Sequence, residues 1–200
     1  MSYRWAMGLP AQRLATYDDL WSVPDHQIGE IIAGELVVSP RPAPRHAYAQ
    51  HSLDYEVTGP FQKGRGGPGG WIFLVEPELR LSGEALVPDI AGWRRERMPL
   101  ITDDAAIDLA PDWICEVLSP RTEARDRGDK ARSYAREGVK HCWLCNPRLR
   151  TLELWRLDHG MWVVEEVFHG EGELRAEPFD AVPLLLAELW APGSEQEQSP

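Results

Sequence analysis

The stretch whose reading decides the fold begins Trp113-Ile114-Cys115-Glu116-Val117-Leu118-Ser119-Pro120, runs through Thr122–Glu137, and ends Gly138-Val139-Lys140-His141-Cys142-Trp143-Leu144-Cys145. It reads as strand, turn, helix, strand. Two short apolar runs bracket a segment whose small and aromatic residues, Ala124, Ala131, Tyr134, Ala135 and Gly138, are spaced for one helical face. Ser119-Pro120 turns the chain into the helix, and Gly138 stops it. The helix then folds back along the strand it follows.

Working outward, Thr151–Leu157 and Trp162–Phe168 read as strands split by the turn Asp158-His159-Gly160. A short helix is expected over Val182–Trp190, followed by the polar tail Ala191–Pro200. Toward the N terminus, strands are expected over Trp71–Leu81 and Leu86–Trp93, and a long helix from Pro44 to about Gln62. The glycine cluster Lys63–Gly70 lacks the Gly-Lys-Ser/Thr ending of a phosphate-binding loop and reads as a connector. Gly29–Ser39 predicts a hairpin around Ala33-Gly34, and Thr16 caps a short helix through Trp21. The reading is one α/β domain over residues 16–190. Its mixed central sheet is flanked by few helices and preceded by a β-hairpin, with an N-terminal extension (1–15) and a flexible tail (191–200).

The chain has 200 residues, 43% of them hydrophobic and nine of them tryptophan, enough for a packed core. Its 21 basic and 32 acidic side chains give a formal charge of −11. That total excludes binding of nucleic acid by bulk positive charge. The charge is uneven: residues 1–111 sum to −5, residues 112–156 to +3 and residues 157–200 to −9. Three cysteines argue against a disulfide framework and for a reducing compartment. Cys142 and Cys145 sit in an apolar strand where i and i+3 face opposite ways, so they read as packed thiols. No secretory h-region follows Met1, and Val182–Leu189 is far too short to span a bilayer. A cytoplasmic protein with no membrane partner is expected.

Candidate chemistry lies in the middle of the chain. Val87-Pro88-Asp89-Ile90 and Ile114-Cys115-Glu116-Val117-Leu118 each set a carboxylate in an apolar strand. An unpaired buried charge costs several kcal/mol. Either the two share a hard divalent cation, which suits oxygen donors, or each is solvated at a strand end or paired with an arginine. Lys130 lies eight residues into the helix, about 12 Å along its axis, and lysine leans toward the helix N terminus, back toward Glu116. Asp89, Glu116 and Lys130 thus converge. The alternative is an Asp126–Lys130 i,i+4 pair on a solvated face, worth only about 0.3–0.5 kcal/mol.

In order and spacing, several fragments together resemble the Uma-type restriction endonuclease family of the PD-(D/E)XK nuclease superfamily. They are Gly34-Glu35-Leu36-Val37, Pro40…Pro44-Arg45-His46, Val87-Pro88-Asp89, Glu116-Val117-Leu118-Ser119-Pro120, Arg125–Lys130, Tyr134, Gly138-Val139 and Trp143-Leu144…Asn146-Pro147. The resemblance implies a restriction-endonuclease-like core and a Mg²⁺- or Mn²⁺-dependent endonuclease acting on DNA. Asp89 and Glu116 match its two metal-binding carboxylates, and Val117 would offer its carbonyl. Where the superfamily lysine usually stands this chain has Leu118, and Lys130 matches the family's relocated lysine. Glu30 matches a further acidic position near the metal. His46 matches a recurrent histidine, either a structural residue at the helix start or, with Tyr134, a contact to substrate. The chain departs from the family at Ala33, usually acidic, and at Gly29, commonly aromatic.

On this reading Arg125 and Arg127, with Arg121, Arg132, Arg136 and Lys140, form a surface for the phosphate backbone. Against −11 overall, that contact is expected to be local and weak. Cleavage of both strands would call for a homodimer. Two further readings stay open: a nuclease-fold DNA-binding or accessory protein without turnover, and a metal-dependent hydrolase of a small phosphorylated substrate.

Overall fold

The computed structural model describes residues 13–193. Most of the expected extension (1–15) and tail (191–200) therefore lies outside the described residues. Thr16 opens a 3-10 turn, Tyr17–Ser22, with its N–H donated to the Asp19 carboxylate at 2.7 Å. The hairpin follows as β1 (Gln27–Ile32) and β2 (Glu35–Pro40). Ala33 and Gly34 turn it at φ of 51° and 80°, the left-handed pair that a two-residue hairpin requires. Gly29 is explained here: a Cβ would lie 2.8 Å from the Val23 side chain and 3.1 Å from Leu20. α1 (Pro44–Val57) carries proline at its start and continues into a π turn, Thr58–Gln62, as far as the expected end.

The expected strand Trp71–Leu81 is two strands in different sheets, β3 (Trp71–Val75) and β4 (Leu79–Leu81). Glu76 sits at φ 48° with Pro77 after it, so the chain leaves the ladder there. Leu86–Trp93 likewise divides into the end of β5 (Glu84–Leu86) and β6 (Ile90–Arg94). Pro88 has no N–H for a ladder, and Asp89 stands at the entrance of β6 rather than inside a strand.

β7 (Trp113–Val117) leads into one helical run: α2 (Glu123–Arg125), a π turn Asp126–Lys130, and α3 (Ala131–Arg136). Gly138, at φ 76°, ends it, and β8 (His141–Asn146) returns parallel to β7. β9 (Thr151–Asp158) and β10 (Met161–His169) form a hairpin, with β10 bulged between Val164 and Glu166. The expected helix Val182–Trp190 is instead β12 (Leu184–Leu185), paired with β11 (Glu173–Leu174), and a 3-10 turn Leu186–Leu189. Pro183 disfavours a helical conformation at Val182, and the leucines after it join a strand pair.

The central sheet has the order β10-β9-β8-β7-β6-β3, antiparallel except at β7–β8. A second, antiparallel sheet runs β2-β1-β5-β4. Period-two alternation sorts the central strands onto two faces. Trp113, Cys115, Val117, Trp143 and Cys145 pack against α1 and the C-terminal segment. Ile114, Cys142 and Leu144 face the side of Tyr134 and the second sheet, and Glu116 shares their face. Cys142 and Cys145 fall on opposite faces, and all three cysteines are free and buried. Among the described residues no helix is long and apolar enough to cross a membrane.

Phe179 closes the first face, with ring centroids 4.9 Å from Phe61, 5.0 Å from Trp71, 5.1 Å from Trp113 and 5.4 Å from Phe73 and Trp143. Gly92 admits this close packing, since a Cβ would lie 2.8 Å from the Phe73 ring and 3.2 Å from Trp113. Phe179→Ala is expected to destabilise the protein by about 3–5 kcal/mol, measured as a lowered urea midpoint by tryptophan fluorescence. A change under about 1 kcal/mol would show that the ring is not part of the core.

Candidate active site

A cleft of about 750 Å³ opens between the β1–β2 hairpin and the N-terminal end of the helical run. One wall is Ile28, Val38, Ser39, Pro40 and Arg41; the other is Ser119, Pro120, Arg121, Thr122 and Arg125. Asp89, Glu116, Lys130, Glu30, Asp126 and His46 reach it from five segments.

Sheet alternation turns Glu116 away from the aromatic face and under the helix. There its Oε1 accepts the Tyr134 hydroxyl at 2.7 Å and lies 2.9 Å from Lys130 Nζ. Lys130 also meets Glu30 Oε1 at 3.0 Å and donates to the Val87 carbonyl at 3.0 Å. Three acceptors thus take the three hydrogens of one ammonium group. Glu30 in turn accepts the Val87 N–H at 2.9 Å, which ties the hairpin to the link between β5 and β6.

Asp89 is held at both oxygens. Oδ2 accepts the Val117 N–H at 2.6 Å, and Oδ1 lies 3.3 Å from His46 Nε2. Its backbone carbonyl accepts Gln50 Nε2 at 2.9 Å and the Glu76 N–H at 3.0 Å. His46 and Gln50 are one turn apart on α1, so a single helix face clamps the residue.

Four carboxylates, Glu30, Asp89, Glu116 and Asp126, surround the one ammonium of Lys130. Burial pushes the Glu116 carboxyl well above its usual range; Lys130 pulls it down, and Asp126, Asp89 and Glu30 add to the rise. Burial likewise pushes Asp126 up to about 6, against the pull of Lys130. Burial alone would lower Lys130, but Glu116, Glu30, Asp126 and Asp89 together hold it well above the ordinary lysine value. Burial also works against the charged form of His46, and Asp89 more than offsets it. The site therefore carries an excess of negative charge in a desolvated place.

A hard cation would answer that excess. Among the described residues no three His, Cys, Asp or Glu side chains are spaced to hold a metal ion together. A cation here would take two carboxylates, Asp89 and Glu116, and fill its shell with water or phosphate, the usual habit of Mg²⁺. The donor set fits on those terms. Val117 donates its N–H to Asp89, and its backbone also meets His46 at the edge of the cleft.

Of the residues singled out from the sequence, the cleft brings together Asp89, Glu116, Lys130, Glu30, His46 and Arg125. Two expected substrate contacts, Arg127 and Tyr134, do not line the cleft. Arg127 is bound to Glu123 at 2.9 Å and bidentate to Glu153, away from the cleft. Tyr134 is fully buried and spends its hydroxyl on Glu116, so it positions that carboxylate. Arg132 and Arg136 are likewise tied, to Asp129 and Glu84. Asp126 and Lys130 form no solvated pair, since both are buried. Two contributors lie outside the site candidates of the sequence: Asp126, which enters there only as the i−4 partner of Lys130 on a solvated face, and Gln50, whose signal is its i+4 spacing from His46.

The chain matches the profile of the Uma2 family, described as "Putative restriction endonuclease", over residues 14–187, and it belongs to that family. Among solved structures it is similar to a crystal structure at 1.96 Å of "a putative nuclease belonging to DUF820" from Anabaena variabilis ATCC 29413. The TM-score is 0.72 at 21% identity, covering 88% of this chain and 97% of that one. The likeness is one of fold and agrees with the expected α/β architecture around a mixed sheet. No curated protein matches.

The raised carboxyl of Asp126 has a measurable consequence. A folded-state pKa of about 6 against 3.8 favours the folded state below the lower value and loses that contribution as pH rises through the higher one. In chelator-treated protein Asp126→Asn is therefore expected to be more stable than wild type at about pH 8, by up to about 3 kcal/mol. The gain should vanish below about pH 4. Urea midpoints across that range measure it, and no gain at the alkaline end contradicts the burial.

Proposed function

We propose that the chain is a metal-dependent endonuclease that hydrolyses DNA phosphodiester bonds. The observation that carries this reading is the convergence of Asp89, Glu116 and Lys130 on the floor of one cleft. Membership of the Uma2 family supports it. Bound between Asp89 and Glu116, Mg²⁺ or Mn²⁺ would lower the pKa of a coordinated water and neutralise charge on the scissile phosphate.

The chain's own groups prepare that site. Val117 N–H and His46 fix the two oxygens of Asp89, and Tyr134 fixes Glu116. These contacts set both carboxylates before substrate arrives, so little reorganisation is left for the reaction. Lys130 commits its hydrogens to Glu30, Glu116 and Val87. It acts by keeping Glu116 oriented and by placing positive charge where negative charge develops on phosphate oxygen. Arg121 and Arg125 at the mouth are placed to contact flanking phosphates.

Wild-type protein is expected to nick supercoiled plasmid, whose underwinding opens the duplex locally, in Mn²⁺, and Lys130→Ala to slow nicking by about 10²–10³-fold. Tryptophan fluorescence checks that the variant is folded. Asp89→Ala and Glu116→Ala are expected to abolish Mn²⁺ binding by calorimetry; unchanged affinity in both overturns the metal assignment. A folded wild type that binds DNA but never nicks it would instead be an accessory protein without turnover.

A further inference from the structure

Resting on the nuclease reading, we infer that the cleft takes a single DNA strand, and takes a duplex only where it is frayed, flapped or nicked. The first observation is depth. The side chains of Glu116 and Lys130 are 3% and 4% exposed and that of Asp89 14%, so a scissile phosphate must descend between the walls to reach the floor. At about 750 Å³ the space falls in the range of roughly 300–1,000 Å³ that encloses one small ligand. It matches a phosphodiester with a nucleotide or so on either side. A duplex is a stiff rod over this length, whereas one strand can bend inward.

The second observation is charge. A duplex interface engages many phosphates through a surface much richer in positive charge than ordinary interfaces. Here the helical run was the expected source of that charge, and most of it is spent internally. Arg127, Arg132 and Arg136 each hold a carboxylate of the chain. Arg41, also at the cleft, is paired with Glu76 at 3.4 Å. Among the described residues only Arg121 and Arg125 reach the cleft as arginines without an ion pair. On a chain of net charge −11, two such contacts suit the lower charge density of a single strand.

The third observation is the character of the walls. Val38 and Pro40 face Pro120 across the opening. The outside of a duplex is sugar and phosphate and gives such surfaces nothing to cover. The base faces of an unpaired strand are apolar and planar and pack on such groups. One strand also needs only one active site, so this substrate requires no second copy of the chain.

The test compares one oligonucleotide sequence, end-labelled, as a single strand, as a blunt duplex and as a duplex with a single-stranded flap, each with wild-type protein and Mn²⁺. The strand and the flap are expected to be cut at least about tenfold faster than the blunt duplex, because the duplex must first unpair and unstack at the site. A blunt duplex cut as fast or faster overturns the single-strand inference and leaves the nuclease reading standing. Cleavage of none of the three by folded protein overturns both.

Discussion

One ammonium group organises the polar half of this molecule. Lys130 brings a single positive charge into a space bounded by four carboxylates. Through Glu30, Glu116 and the Val87 carbonyl it joins the hairpin, the middle of the central sheet and the link between β5 and β6. Removing one partner from such a set leaves an uncompensated buried charge and costs about 3–5 kcal/mol, yet an apolar set of the same volume is often equally stable. Stability alone therefore does not account for the arrangement. Its place at the floor of a cleft does, because a desolvated group of carboxylates around one lysine is a means of binding charge.

The other face of the same strands does a different job. Trp113, Trp143 and their neighbours press on Phe179 and α1, forming a rigid backing one residue out of phase with Glu116. α1 serves both sides. Leu53 and Val57 enter the aromatic core, while His46 and Gln50, nearer its start, hold Asp89 by side chain and backbone. The position of the carboxylates is thus a property of the packed core. Displacing an aromatic ring would be felt at the Asp89 and Glu116 carboxylates through β7 and α1.

Much of this was legible in the sequence, and the misreadings have physical causes. The apolar run Trp113–Leu118 was enough to mark Glu116 as a carboxylate inside a strand, and the Lys130 spacing was enough to point it back toward that strand. Trp71–Leu81 and Leu86–Trp93 read as unbroken because their apolar residues run on past Pro77 and Pro88, where the backbone in fact turns away. Val182–Trp190 read as helix because a short run of leucines does not by itself distinguish helix from strand; the partner that takes Leu184 and Leu185 lies ten to twelve residues upstream. The contacts of Glu30 with Val87 and Lys130 span 57 and 100 positions, and no local pattern reports a contact made at that distance. Asp126 was misread for a related reason, because i,i+4 spacing to a lysine looks the same on an exposed face as on a buried one. The arginines looked available for the same want of tertiary information.

Among the described residues β10 ends the central sheet as an unpaired edge carrying Val163, Val164 and Val167, all exposed. A bare strand of that kind invites a second sheet to continue it. Its middle, however, is Glu165-Glu166. Two copies meeting antiparallel about the centre of the strand would set Glu165 against its own mate, and like charges directly opposite are destabilising. The bulge bends the ladder at the same point. The valines would favour an added strand, and the acidic pair and the bulge between them count against one.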